Sequence, residues 1–484
     1  MLFRKIEKTL KEHFASECNK IMVVDGARQV GKSFIIRHVG RELFENYIEI
    51  NFVEDSLQDK RFENVRTIQD FYFQVSMIAG DKMKEKKNTL IFLDEIQTYP
   101  HFLTLLKFLK QDDRFTYIAS GSLLGVTLNK TTSIPMGSIT VVRMYPLDFE
   151  EFLYANGFHE SAIDIIRQHF IKRKSLDVTT HNNLMNLFRK YLLIGGLPDA
   201  VNSYLKEYNI VSVRTIQNEI HEFYEVDASK YDLENRLKIQ RIYEMIPSTL
   251  ENKKKRIVIK DIDGVKGKTF SHYQDEFDYL IHAGIALEVK AISNPTFPLI
   301  ESCGKNLLKL YLNDVGIFTG ILYGNNVHAV LDDERSINLG SVYENLVACE
   351  LKAHGRNLYY YDNRNNGEVD FLIDDYENLS TVPIEVKSGK DYTVHSALKR
   401  FVENEDYHVK NAVVLSNARE VKILGKIMYL PIYYVMFLQE YQNHSFVLEV
   451  PLNEKSLILM FLCSGEFLVK VAMLLPLVTM SRSI

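Results

Sequence analysis

Residues 20–33 read KIMVVDGARQVGKS, and the fold turns on this stretch. The apolar run KIMVVD (20–25) has the composition of a buried strand and leads without a break into Gly26–Ser33, which fits G-x-x-x-x-G-K-[ST]. Glycines at those positions let the backbone curl until successive N–H groups face a phosphate, and the N-terminus of the following helix adds partial positive charge. Gly26, Ala27, Arg28, Gln29, Val30, Gly31, Lys32 and Ser33 are therefore expected to bind ATP, with Lys32 on the β- and γ-phosphates and the Ser33 hydroxyl on Mg²⁺.

Working outward, the runs at 47–52, 89–94 and 115–120 read as further strands with helical patterns between them, the first helix spanning 33–44. That alternation predicts an α/β domain with a parallel sheet covered on both faces. LIFLDE (90–95) ends in two carboxylates. Asp94 is expected to hold Mg²⁺ through water, and Glu95 to polarise the attacking water as general base. Ser120, closing the fourth strand, either reaches the γ-phosphate or that water, or simply caps its strand. Arg28 and Arg143 are the candidate stabilisers of transition-state charge, with a solvated arginine as the plain alternative.

After Pro146 the pattern turns helical, at 148–156, 159–175, 182–194 and 205–250, with GGLPDA (195–200) as a turn. The stretch 269–284 reads as a helix followed by strands at 285–292 and 306–314, the outline of a winged helix. The chain is accordingly divided into an ATPase domain (1–155), a helical lid (156–205), a winged-helix-like domain (206–325), a nuclease-like α/β domain (326–440) and a tail (441–484).

The nuclease-like reading rests on GEVDFLID (367–374) and VPIEVKSG (382–389) as paired strands. Alternate side chains of a strand share a face, so Glu385 and Lys387 point one way while Ile384 and Val386 point into the core. With Asp370 on the preceding strand and Glu344 on a helix upstream, the order is Glu…Asp…Glu-x-Lys. Two carboxylates, Asp370 and Glu385, suit a hard cation such as Mg²⁺, and Lys387 suits the orientation or deprotonation of a water attacking a phosphodiester. The plain alternative is a salt bridge among strand charges with no metal. Lys253, Lys254, Lys255 and Arg256, followed by Lys260, Lys266 and Lys268, form a locally basic segment suited to DNA phosphates, although Asp275, Glu276 and Asp278 on the adjacent helix would repel them.

GARQVGKS, IFLDEIQ, the IASGS strand end, RMYPLDFEEFL (143–153), YLLIGGLPDAV (191–201) and KLYLNDVGI (309–317) together resemble one family. It is the large prokaryotic group of AAA-type ATPases whose C-terminal half is a domain of unknown function. The resemblance runs from about residue 15 to about residue 435 and implies an ATP-binding protein whose C-terminal domain is similar to the restriction-endonuclease-like, PD-(D/E)xK, fold.

Composition sets outer limits. The 484 residues are 46% hydrophobic and 25% charged, with a net charge of −5, which excludes a polycation that coats nucleic acid broadly. Cys18, Cys303, Cys349 and Cys463 show no metal-ligand spacing and form no disulfide framework, as expected of a cytoplasmic protein. The N-terminus, MLFRKIEKTLKEHF, reads as a charged helix without the apolar core of a signal peptide. Residues 457–480 are mostly apolar, but Glu466, Lys470 and Gly465 speak against a membrane helix. The expectation is an ATP hydrolase whose nucleotide state gates a nuclease-like domain acting on or binding DNA. The competing expectation is an ATP-operated switch that binds a protein or DNA partner without cutting. Either is compatible with a homo-oligomer.

Overall fold

The computed structural model describes residues 1–16, 20–83, 88–122, 137–231, 236–252, 255–265, 267–331, 339–363, 367–389, 393–438, 447–453, 456–463 and 466–471. They form two compact units, Met1–Met436 and Phe437–Ile484.

Five parallel strands build the N-terminal sheet: β1 (Ile21–Asp25), β2 (Asn46–Asn51), β3 (Thr89–Asp94), β4 (Thr116–Gly121) and β5 (Ile139–Arg143), in the order β2-β3-β4-β1-β5. The sequence sets these places. IMVVD and TLIFLD are buried along their whole length, as strands flanked on both edges and both faces must be. NYIEIN alternates buried and half-buried residues and lies at the edge. Val23, Ile50, Phe52, Phe71, Leu93 and Phe102 belong to one apolar cluster between the sheet and its helices. Because β4 lies between β1 and β3, its C-terminal end stands between the glycine loop and Asp94.

The expected helical region is present as Phe149–Ala155, Glu160–Ile171, Val178–Ile194 and Pro198–Glu207. GGLPDA is a turn only over its first half. Pro198 opens the next helix, where its fixed φ and missing N–H cost nothing. At this turn three sequence motifs meet. Leu147 N–H donates to Gly196 O at 2.7 Å, and Gly196 N–H donates to Asp314 Oδ2 at 2.6 Å. Asp314 Oδ1 caps the helix Val315–Tyr323 through Ile317 N–H at 3.0 Å. The last carbonyls of Val178–Ile194 are taken up by Thr319, Arg214 and Gln217.

The winged-helix expectation is corrected by the sheet. The antiparallel hairpin of β6 (Ala286–Ile292) and β7 (Cys303–Leu312) exists, but β6 also pairs in parallel with β8 (Tyr359–Asn363). Together with β9 (Gly367–Asp375), β10 (Ser380–Lys387), β11 (Ala412–Ser416), β12 (Lys422–Leu424) and β13 (Ile427–Pro431) they make one sheet of eight strands, in the order β12-β13-β11-β10-β9-β8-β6-β7. The cause is visible in β6, which is buried along most of its length and so needs a partner on each edge. The boundary expected at 325/326 thus falls between two strands of one sheet.

In the second unit, β14 (Val447–Asn453), β15 (Ser456–Cys463) and β16 (Glu466–Val471) form an antiparallel three-stranded sheet. The apolar run at 457–480 is therefore strand over the part that is described, not helix. Among the described residues no helix is long and apolar enough to cross a membrane.

The Leu147–Gly196–Asp314 junction can be tested. A β-carbon on Gly196 would stand 2.0 Å from Leu147 O, backbone against backbone. Gly196→Ala is expected to cost roughly 1–3 kcal/mol, the usual range for overpacking, and to lower the thermal midpoint in a melt followed by circular dichroism.

Candidate functional site

The glycine loop takes the shape its sequence requires. Gly26 has φ +149°, and a β-carbon there would stand 2.2 Å from Met144 O. Gly31, at φ +93°, occupies the N-cap of the helix Lys32–Leu43. Lys32 is buried and donates to the Gly26 and Ala27 carbonyls at 2.9 and 2.8 Å. Burial pulls its pKa down, against the opposing pull of Glu95, Asp25 and Asp94. The Ser33 hydroxyl donates to Asp94 Oδ1 at 2.8 Å, and the Ser120 hydroxyl donates to the same oxygen. Burial raises the Asp94 pKa while those two hydroxyls lower it, leaving it above the usual carboxylate range. A hydroxyl and a carboxylate at the foot of a loop of backbone N–H groups form an all-oxygen donor set that fits Mg²⁺ beside a phosphate.

Glu95 has a left-handed backbone, φ +55°, just past β3. Its Oε2 accepts from the Gln97 amide and from the Ser122 hydroxyl, the latter at 3.1 Å. Ser122 also accepts from Arg28 Nε at 3.3 Å and from Gln97 Nε2 at 3.1 Å. Gln97 and Ser122 were not singled out in the sequence. Ser122 stands two residues beyond Ser120, and Gln97 two beyond Glu95; each closes a motif that carries the family resemblance, IASGS and IFLDEIQ, and that was the available signal. A cavity of about 390 Å³ opens over this group, lined by Arg28, Lys32, Ser33, Asp94, Glu95 and Phe223 among others. A second recess of about 260 Å³ shares Gln29, Gly31 and Phe34 with it and is walled by Arg4, Pro198 and Asn202.

Arg28 thus lies at the site, with the Phe223 ring 5.4 Å from its guanidinium and its carbonyl accepting from Tyr224 OH at 2.8 Å. Arg143 is held by other partners. Its Nη2 donates to the Ile281 and His282 carbonyls at 2.9 Å each, and its Nε lies 3.7 Å from Asp25. It fastens β5 to the helix Gln274–His282.

All four residues of the second constellation come together. Helix Gly340–Ala353 packs on β10 and β7 and brings Glu344 to the sheet. Continuing the β9–β10 register one step past Phe371↔Ile384 places Asp370 opposite Glu385. Val386 N–H donates to Asp370 Oδ2 at 2.8 Å, and Lys387 Nζ donates to Glu385 Oε1 at 2.6 Å. Glu385 Oε2 is buried without a hydrogen-bond partner. Burial and the facing Asp370 push Glu385 up to about 8, against the pull of Lys387. Burial and Asp370 likewise raise Glu344. An orphaned carboxylate oxygen opposite a second carboxylate fits a hard divalent cation.

Within the basic segment expected to meet DNA, Lys260 is exposed and three other cations have acidic partners. Lys255 donates to Glu344, Arg256 lies 3.9 Å from Asp362, and Lys268 pairs with Asp263. Glu276 is buried and lies 3.5 Å from Lys238, so the helix beside that segment turns its carboxylate inward. Lys253, Lys254 and Lys266 lie outside the described residues.

Comparison with known proteins adds the following. Residues 18–153 match a family model described as an AAA domain (AAA_14). Residues 185–326 and 339–435 match two domains of unknown function, DUF8612 and DUF4143. An uncharacterized protein of Haemophilus influenzae is 25% identical over 189 residues, which are 37% of this chain; the match spans only 40% of that relative's length. Among solved structures, the Walker-type ATPase PABY2304 of Pyrococcus abyssi aligns with TM-score 0.40 at 14% identity, over 66% of this chain and 95% of that one. The ORC2 protein of Aeropyrum pernix aligns with TM-score 0.35 at 11% identity, over 69% and 96%. With a glycine loop, a hydroxyl–carboxylate pair and a parallel sheet already in place, the match over residues 18–153 makes the N-terminal part of the chain an AAA-type P-loop ATPase domain.

Proposed function

We propose that the chain hydrolyses ATP and uses its nucleotide state to gate a metal-dependent phosphodiesterase site at Glu344, Asp370, Glu385 and Lys387, acting on DNA. One observation carries the second half of this reading: the buried, unpartnered Glu385 Oε2 opposite Asp370, with Lys387 2.6 Å from the same carboxylate. The topology supports it as well. Helix Gly340–Ala353 is followed by the antiparallel strands β8, β9 and β10, the helix Ser396–Glu403, and β11 parallel to β10. This is the succession an endonuclease-like scaffold requires.

At the ATP site, Lys32 and the loop N–H groups would bind the phosphates, and Ser33 and Asp94 would hold Mg²⁺, which would supply charge neutralisation to the phosphates. Glu95 accepts a proton from the attacking water, and the Ser122 and Gln97 donors fix its carboxylate in place. Arg28 projects into the same cavity and meets the charge that develops on the γ-phosphate. At the carboxylate site, Asp370 and Glu385 would hold a divalent cation, whose role is to lower the pKa of water and stabilise the phosphodiester transition state. Lys387 orients the attacking water, and Glu344 stands behind Asp370 as a further acceptor.

A second reading is favoured by the charge balance of the cluster. Glu344, Glu368 and Glu385 each pair with a lysine, namely Lys255, Lys309 and Lys387. On that reading the chain is an ATP-operated switch that binds a protein or DNA partner without cutting.

Three measurements decide. Lys32→Ala is expected to abolish binding of a fluorescent ATP analogue. Glu95→Gln is expected to retain that binding while phosphate release falls on the order of 10²-fold or more; unchanged turnover would remove Glu95 as the base. Plasmid nicking with Mn²⁺, with and without ATP, is expected from the unaltered chain and not from Asp370→Asn or Lys387→Ala. No nicking by any of the three favours the switch.

A further inference from the structure

Residues 255–257, which follow helix Arg236–Glu251, form a segment that meets the carboxylate cluster. Lys255 pairs with Glu344 there, the two side chains being 19% and 5% exposed, and Asp370 and Glu368 act on the same ammonium. Its backbone is left-handed, φ +42°, a conformation that a β-carbon disfavours. Beside it, Lys255 N–H donates to Asn252 O at 3.2 Å, Ile257 N–H donates to Leu308 O at 3.4 Å, and Arg256 lies 3.9 Å from Asp362. A partly buried lysine with a disfavoured backbone conformation thus reaches the cluster.

The same segment is connected to the nucleotide site. Phe223 and Tyr224, on helix Ile210–Tyr231, hold the side chain and the carbonyl of Arg28. One turn earlier on that helix, His221 Nδ1 lies 3.1 Å from Tyr243 OH of helix Arg236–Glu251, with the rings 5.1 Å apart and Tyr243 fully buried. Between Tyr243 and Lys255 lies Pro247, which has no N–H for the Tyr243 carbonyl. The helix is therefore weakened at one point, between its grip on the P-loop side and the lysine it delivers.

We propose that Lys255 is a displaceable cationic plug of the Glu344–Asp370–Glu385 cluster, withdrawn through helices Ile210–Tyr231 and Arg236–Glu251 when nucleotide engages Arg28. The proposal rests on the reading of the cluster as a metal site. With Lys255 in place, three ammonium groups stand among Glu344, Glu368, Asp370 and Glu385 and repel an incoming divalent cation. With Lys255 withdrawn, Glu344 loses its lysine and keeps the Tyr311 hydroxyl at 3.2 Å, and the cluster loses one positive charge. The orphaned Glu385 Oε2 is then the open acceptor for the cation.

The test uses the full chain carrying Asp94→Asn, so that the ATP site does not add its own metal, and follows free Mn²⁺ by electron paramagnetic resonance. Lys255→Met is expected to bind one Mn²⁺ at least tenfold more tightly than the parent chain, Lys255→Arg to match the parent, and Asp370→Asn to erase the gain. Equal, Asp370-dependent affinity with and without Lys255 overturns the plug and leaves the metal site standing. Binding that is insensitive to Asp370 in every variant overturns the metal-site reading, and the plug with it. The coupling is read on the chain with native Asp94, independently of any Lys255 variant. Amide exchange over residues 251–257 is expected to accelerate on adding a non-hydrolysable ATP analogue, and to stay unchanged in Phe223→Ala. Unaltered exchange in the parent overturns the coupling.

Discussion

The Asp314 carboxylate accepts Gly196 N–H at 2.6 Å with one oxygen and caps the helix Val315–Tyr323 with the other. Gly195 and Gly196 allow this: a β-carbon on Gly195 would stand 2.2 Å from Asp314, and one on Gly196 2.0 Å from Leu147 O. A single buried acid thus joins the end of the helix Val178–Ile194, the stretch leaving β5 and the strand end at Leu312. Burial raises its carboxyl to about 6, with the backbone N–H groups of Gly196, Ile317 and Gly316 opposing. Burying the acid costs free energy that those donors offset, and the arrangement holds only while all three segments are in place. It makes that helix and the C-terminal sheet parts of one folding problem.

A second buried network acts in parallel beside the P-loop. Arg4, just before the helix Ile6–Ala15, donates to Glu151 at 3.1 Å, to Val30 O at 2.8 Å and to Tyr145 O at 2.6 Å, and so ties the N-terminus to the loop. Lys5 reaches Asp148 and Glu150 at 2.6 and 2.7 Å. Glu350, on the helix that carries Glu344, accepts Phe149 N–H at 2.7 Å. The helix that carries Glu344 is therefore hydrogen-bonded to the helix Phe149–Ala155.

Local pattern exposed much of this in the sequence. Asp94 and Glu95 could be placed because an apolar strand ending in acids is a local feature, and Lys32 and Ser33 because their loop is contiguous. Glu385 and Lys387 share a face by the period of two, and they meet at 2.6 Å, although β10 is buried on both faces and shows no alternation in burial. What escaped were contacts set by pairing between distant segments. Ser122 meets Glu95 only because β4 is threaded between β1 and β3. Lys255 looked like a surface cation because its partner, Glu344, lies 89 positions away. Arg143 faces carbonyls 138 and 139 residues on, which no spacing rule reaches. The helix-like stretch at 269–284 was placed correctly, but its setting was not, since strand partners cannot be read from one strand's own residues.

The addition of β6 and β7 to the C-terminal sheet has a practical corollary. Matches to sequence families part at residue 326 and resume at 339, whereas the backbone ladder runs straight through, from β8 to β6 to β7. A fragment begun at the family boundary would leave the outer edge of β8 bare, a row of unpaired N–H and C=O groups open to strand exchange with other copies. Modularity in the sequence does not coincide here with modularity in the solid. The smallest piece that keeps the carboxylate cluster covered begins upstream of Ala286, where the chain is still attached to its ATPase half.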